Sequence, residues 1–555
     1  MDERYSALGR PSPTGELHAI NADGSGGRTL MGHYDRDSVN GTTYKFSDFF
    51  AGFLEDDLPH DDDNVLISVQ AFSNDPSTRI DKMNVRTGRR ATVATAPVRR
   101  ARFTTDNKGE VRFARGSGND LVSKLYYRDA RGSEWRLVND EDVSHRVELA
   151  LGFAADDRTA YLQVEQAQGP DVIVAMDTVT GQRTELLRDE TVSPYSIIYD
   201  ASGNVPVGAT YMKDRLVSRY FDERSAQART QRMVEKAMPD VSVRVLSGTR
   251  DGKLLLLMAT SDRNPGDFFL FKTDTREANL IFSRADWFDP ARMAPVRNVS
   301  LPARDGLTLH GYLTVPAGSD GKGLPMVVLP HGGPFGMFDE WAFDRDTQML
   351  AAAGYAVLQV NFRGSGNYGR AFEQAGARQW GGTMQDDLTD ATRWAIAQGI
   401  ADRERICIYG ASYGGYAALM GAAREPALYR CAVGYVGVYD LPMRRDDLRD
   451  GARWMGTYAN EWMGDSDEAL ALLSPNRIAD RIKAPVFLAA GGKDEIAPLA
   501  HSHKMEKALK AAGTPVETLY FPTEGHGFYT APPPREFYTR LLDFLGRHLG
   551  GKTAG

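Results

Sequence analysis

The chain has 555 residues, 42% of them hydrophobic and 25% charged, with 66 Lys plus Arg against 74 Asp plus Glu for a formal charge of −8. Its length is several times the ~150 residues of one domain and its composition leaves ample core, which excludes a disordered chain, a collagen and a disulfide scaffold. The acidic balance gives no attraction for nucleic acid or an anionic membrane, and no run of about 18 apolar residues is present to span one.

The chain begins MDERYSALGR, without the apolar core of a signal peptide, so as written it is expected in the cytoplasm. The first half then shows many short β-rich runs and few helical patterns. Strand-like segments end in turn tetrads opened by Asx and closed by Gly: NADG at 21–24, NVRTG at 84–88, DARG at 129–132 and DTVTG at 177–181. Asx caps such a turn and Gly accepts the positive φ that a hairpin requires. Weaker copies start at Asp222 and Asp274. After the first interval the anchors recur at about 45 residues, the period of a β-propeller blade, which predicts some six or seven blades. A β-sandwich is the alternative reading. The acidic run 55–63 falls in the long first interval. Its Asp56, Asp57, Asp61, Asp62 and Asp63 either form a solvated loop or neutralise a substrate amine.

Beyond the Pro-bearing stretch 289–295 the texture changes to strands alternating with helices, as in a doubly covered α/β sheet. The division predicted is a β-propeller over 1–290 and an α/β-hydrolase domain over 291–555. PMVVLP (325–330), AVLQV (356–360), ICIY (406–409), 485–490 and 516–521 have the character of buried strands. Cys407 and Cys431 fall in such apolar runs and are expected as buried thiols rather than a staple or metal site.

Four stretches carry chemistry. GASYG at 410–414, between a strand and a helix pattern, has the form of a nucleophile elbow that lifts Ser412 to the sheet edge. A serine hydroxyl needs a histidine to take its proton and a carboxylate to fix that histidine's tautomer, in the chain order Ser, acid, His for this fold. GGKDEIAP supplies Asp494 just past a strand, and TEGHGF supplies His526 in a Gly-flanked loop. His501 and His503, in the intervening helical stretch, are expected to be solvated or capping. HGGP at 331–334 offers backbone donors to an oxyanion, with Gly333 and the amide of Tyr413 as the pair. Tyr458 and Trp462, four apart, fall on one helix face, a spacing that by itself suits packing against the sheet. Arg363 is expected to tie loops together near the site.

HGGP, NFRGSGNYG (361–369), WGGTMQDD (380–387), YGASYGGYAAL (409–419), GGKDEIAP and EGHGF together resemble the prolyl oligopeptidase family of serine peptidases. The resemblance implies a propeller joined to an α/β-hydrolase domain and hydrolysis of short peptides, with the propeller restricting larger substrates. It also makes Tyr458 and Trp462 similar to the aromatic pair of a proline-accepting pocket. The histidine of HGGP is similar to the acylaminoacyl-peptidase branch. Where that branch can carry a substrate-holding arginine two residues after the acid, this chain has Ile496, and no paired-glutamate helix of the dipeptidyl-peptidase-4 kind is evident in the first half. Family members usually run longer at the amino end, so a periplasmic or secreted setting is expected if a signal peptide precedes this start.

The leading expectation is a serine peptidase working through an acyl-enzyme, of dipeptidyl or acylaminoacyl aminopeptidase type, needing no cofactor and no metal. Its partners would be short peptides, with no nucleic acid or membrane, and a homo-oligomer is compatible with the sequence. An esterase or amidase on the same fold is the second reading, and a non-catalytic peptide-binding propeller the third.

Overall fold

Asx side chains close the turns of the first half. Asn84 Oδ1 accepts the amides of Arg86 and Thr87 at 3.1 and 2.9 Å, and Asp177 Oδ1 accepts those of Val179 and Thr180 at 2.9 Å each. Gly88 and Gly181 then adopt φ of +71° and +73°, where a β-carbon would be strained, and return the chain antiparallel. The computed structural model describes residues 3–5, 11–32, 50–200, 203–249, 251–287 and 289–552. In it, five of the six anchors join consecutive strands. They link Leu17–Ala19 to Arg28–Met31, Ser77–Asn84 to Arg90–Arg99, Ser123–Tyr127 to Arg136–Asp140, Val172–Asp177 to Arg183–Leu187, and Asp267–Lys272 to Glu277–Ser283.

The anchor at Asp222 departs from this pattern. It leads into the helix Ala226–Ala237, N-capped by Ser225 Oγ on the Ala228 amide, so the sheet before it has three strands rather than four. Val234 of that helix packs with Val243 and Leu257 of the following sheet. The described residues of this half form four sheets of four antiparallel strands, one of three and two of two, an arrangement of propeller blades followed by the α/β-hydrolase fold.

The second half is built on one eight-stranded sheet. Its strands are β1 (Val296–Pro302), β2 (Thr308–Thr314), β3 (Leu324–Val328), β4 (Ala356–Asn361), β5 (Ala401–Ala411), β6 (Cys431–Tyr435), β7 (Val486–Gly491) and β8 (Val516–Phe521). Their order is β1-β2-β4-β3-β5-β6-β7-β8, with β1 and β2 antiparallel to their neighbours and every pair from β4 to β8 parallel. The central strands are apolar on both faces because helices cover both: one core cluster includes Met326, Ile408 and Leu488, the other Val327, Phe487 and Phe544. In this topology the carboxyl ends of the parallel strands form one rim, where ligands bind.

The cysteines are not free thiols. Cys407 of β5 and Cys431 of β6 stand opposite one another in register, Cα atoms 4.7 Å apart, and are joined as a disulfide. One strand–helix–strand crossover separates them, which makes their strands nearest neighbours, and each occupies the same depth in its run. Among the described residues no helix is long and apolar enough to cross a membrane.

Candidate active site

Strand β5 runs to Ala411, and Ser412 turns the chain into the helix Tyr413–Arg424 with φ +58° and ψ −119°. A non-glycine residue in that region is strained and persists only where its surroundings hold it. Here the Ser412 amide donates to Tyr435 O at 2.9 Å, and Gly410 and Gly414 close the turn on each other. A Cβ on Gly410 would lie 2.5 Å from the Gly414 carbonyl carbon, which is why the flanking positions of the pentad are glycine. The candidate nucleophile is half-buried on the rim.

Asp494 follows β7 and is 5% exposed. Its Oδ1 accepts the amides of Ile496 and Ala497 at 2.9 and 2.8 Å, which leaves Oδ2 for His526 Nδ1 at 2.8 Å. Because a carboxylate accepts, Nδ1 carries the proton and Nε2 is the free base. The His526 loop is braced from below: Lys493 donates its amide to Glu524 O at 2.8 Å, and buried Glu524 accepts the Tyr529 amide at 2.7 Å and the Thr530 hydroxyl. Tyr435 links the two halves of the site, accepting the Ser412 amide on its carbonyl and the Phe528 amide on its hydroxyl at 2.7 Å. Ser412, Asp494 and His526 thus come from the carboxyl ends of β5, β7 and β8, on one rim.

The loop after β3 crosses the elbow. A Cβ on Gly332 would sit 3.5 Å from Ser412 Cβ, and exposed Gly333 has φ +116°. Tyr413 supplies the first amide of its helix, which has no intrahelical acceptor. Its ring is fully buried against Phe362, Trp380 and Tyr416.

The family profile for the prolyl oligopeptidase family matches residues 341–552. Dipeptidyl aminopeptidase BIII of Pseudoxanthomonas mexicana is 30% identical over 497 residues, covering 85% of this chain and 70% of that protein. This chain belongs to the prolyl oligopeptidase family. The peptidase is also 28% identical to the acylamino-acid-releasing enzyme of Mus musculus over 252 residues, 44% of this chain and 34% of that one. A Mycobacterium tuberculosis puromycin-hydrolyzing peptidase shares the fold, with a TM-score of 0.75 at 18% identity, covering 98% of this chain and 84% of that one. The protein is therefore a serine peptidase hydrolase with a propeller and an α/β-hydrolase fold.

Tyr458 and Trp462 of the peptidase lie on the helix Arg453–Trp462, half-buried, with ring centroids 6.1 Å apart. Trp462 also meets Phe335, the residue after HGGP, at 4.5 Å, which sets the pair beside the HGGP loop rather than deep in the core. The same helix touches propeller loops through Trp454 Nε1 on Asn74 O and Thr457 Oγ1 on Asn119 O. Arg363 bridges loops: its guanidinium forks onto buried Asp387 at 2.8 and 2.9 Å and reaches Asp305 at 2.8 Å. His501 is fully buried rather than solvated, and its Nδ1 accepts the amides of Tyr439 and Asp440 at 3.2 Å each.

Several of the acids at 56–63 are held by groups of the propeller itself. Asp61 pairs with Lys82 at 2.7 Å and Asp63 with Arg86 at 2.6 Å, while Asp56 accepts the Thr105 hydroxyl. A second acidic group, which no motif announces, meets at the junction of the two folds. Arg370 pairs with Glu141 and Glu165 at 2.8 Å each, and Glu373 Oε1 lies 3.4 Å from where a Cβ of Gly336 would be, just after HGGP. Burial, with the charge of Glu165 beside it, pushes the Glu373 carboxyl up to about 7 despite Arg370. Arg444 reaches the Ile496 carbonyl at 2.7 Å, bringing a guanidinium beside the position where the sequence has no arginine.

Proposed function

We propose that the peptidase removes short units, of dipeptidyl type, from a free amino terminus through an acyl-enzyme on Ser412. Ser412 Oγ attacks the scissile carbonyl while His526 Nε2 takes its proton and passes it to the leaving amine. Asp494 holds the imidazole tautomer and stabilises the imidazolium, and Gly333 and Tyr413 amides receive the oxyanion. Water then repeats the cycle on the ester. The side chain before the cut bond rests on Tyr458 and Trp462.

The observation that carries the free-amine reading is the acidic group beside the oxyanion loop. Glu141 and Glu165 share the guanidinium of Arg370 there, and Glu373 lies beside them. Burial raises the Glu165, Asp171 and Glu373 carboxyls, so their negative charge needs a further cation to be favoured. An ammonium group would compensate it, whereas a blocked terminus would not. The name of the relative that matches 85% of this chain, dipeptidyl aminopeptidase, agrees with this reading.

Glu373→Gln is expected to raise KM about tenfold or more for a free-amine dipeptide anilide and to leave an N-acetylated twin unchanged. The pH dependence follows in sign. Glu373 is neutral below about 7 and charged above it, while a peptide amine loses its proton near ~8. KM for the free-amine substrate should therefore fall from pH 6 towards 7.5 and rise again beyond it. A flat KM over that range would remove Glu373 from amine binding.

A further inference from the structure

After β6 the helix Leu441–Gly451 leads through Ala452 into the helix Arg453–Trp462 that carries Tyr458 and Trp462. Its start is fixed. Asp440 Oδ1 accepts the Met443 amide at 3.2 Å, and Oδ2 accepts Asn476 Nδ2 at 3.0 Å and Lys504 Nζ at 3.1 Å. Two adjacent arginines follow, in different settings. Buried Arg445 donates to Asp465 O at 2.7 Å and pairs with Asp467, as a structural guanidinium does. Half-buried Arg444 has one side-chain hydrogen bond among the described residues, to Ile496 O at 2.7 Å, and no ion pair with any of their carboxylates.

This cation is held at a cost. Burial pulls the Arg444 guanidinium below its ordinary value, against the charges of Asp447, Tyr458 and Asp494, although a guanidinium stays protonated. In the opening turn of a helix it also adds to the positive end of the dipole instead of offsetting it. Its neighbours belong to the site. The Ile496 amide donates to Asp494 Oδ1 at 2.9 Å, so one residue links the guanidinium to the acid that holds His526. Burial and Glu373 raise the Tyr458 hydroxyl to about 12 while Arg444 opposes them, so Glu373 and the unpaired guanidinium both act on this one ring. Rings alone suit an apolar side chain. Rings beside an unpaired guanidinium suit an anionic one, because the planar fork matches a carboxylate and apolar walls strengthen the pair.

We propose that Arg444 is a specificity-determining residue: it takes the carboxylate of an acidic side chain before the cut bond, so the peptidase favours Glu or Asp there. The proposal rests on Tyr458 and Trp462 lining that pocket. It gives Arg444 no part in making or breaking bonds.

The test compares Ala-Glu with Ala-Gln anilide and Ala-Asp with Ala-Asn anilide on the full chain, each with a free amine and N-acetylated. Within a pair the shapes match and only the charge differs. In the wild type, the acid of at least one pair should exceed its amide about tenfold or more in kcat/KM. Arg444→Met should lower that acid about tenfold or more and its amide no more than about threefold, which abolishes the preference. Amides cleaved as fast as the acids by the wild type would overturn the proposal without any variant, and so whether or not Arg444→Met folds. An unchanged ratio in Arg444→Met would overturn it too. So would equal losses for acid and amide, which would mean that Arg444 holds the substrate main chain or supports the fold. The ratio is read in whichever form, free or acetylated, is turned over. Loss of the free-amine preference alone therefore removes the free-terminus assignment, whereas loss of the acid preference alone removes only the role of Arg444.

Discussion

At the scale of single residues, the geometry around Asp494 explains why one carboxylate is sufficient to orient the histidine. Two backbone amides take Oδ1 and the imidazole takes Oδ2, so the side chain has a single rotamer to offer. Ser412→Ala or His526→Ala should lower kcat on the order of 10⁶-fold, and Asp494→Asn about 10⁴-fold through the wrong tautomer, each with unchanged thermal unfolding. A kcat within tenfold of wild type in any of the three would sink the role given to that residue. That these three residues, with Gly333 and Tyr413, share one rim was legible in the sequence because an elbow and its flanking loops impose local rules: glycine where backbones touch, a strand before and a helix after. The meeting of Glu165 with Glu373 was not legible. It depends on how two separately folded parts sit against each other, and no local pattern encodes a contact so distant in the chain.

Among the elements, the turn tetrads led to hairpins because Asx and Gly act within four residues. The same logic failed at Asp222, where Ser225 and the following run satisfy helix rules as well, and a helix stands after the third strand. The cysteine pair was missed although both partners sat in correctly read strands; register between parallel neighbours is a tertiary fact, and it put Cys407 opposite Cys431. Arg363, read as a loop tie, joins the end of β4 to the helix Thr383–Ala397 through Asp387, which is fully buried. Arg363→Met would leave that carboxylate without its partner and should destabilise the protein by about 3–5 kcal/mol, seen as an earlier urea midpoint. An unchanged midpoint would show that water or a rearrangement replaces the pair. The helix Arg453–Trp462 makes its own prediction. Trp462→Ala should change the preference among side chains before the cut bond; equal losses for all substrates would mean that the ring only packs on Phe335.

For the molecule as a whole, the propeller and the hydrolase fold meet through polar contacts and through rings, as where Tyr195 meets Phe338. Tyr312 donates its hydroxyl to Lys213 O at 2.8 Å, Tyr195 donates to Glu340 at 3.1 Å, and Arg370 reaches Glu141 and Glu165. In the proposed mechanism the hydrolase side supplies the nucleophile, base and oxyanion donors, and the propeller side supplies Glu141 and Glu165, which pair with Arg370. On this view the second fold both narrows access and contributes charge, which accounts for a peptide substrate where the triad alone would serve an ester equally well. The decisive measurement is the hydrolysis rate of a dipeptide anilide with a free amine against its N-acetylated twin, with a simple ester alongside. The free-amine form is expected to be cleaved at least a hundredfold faster, in kcat/KM, than the acetylated one. Preference for the acetylated form, or turnover of the ester alone, would contradict the free-terminus assignment.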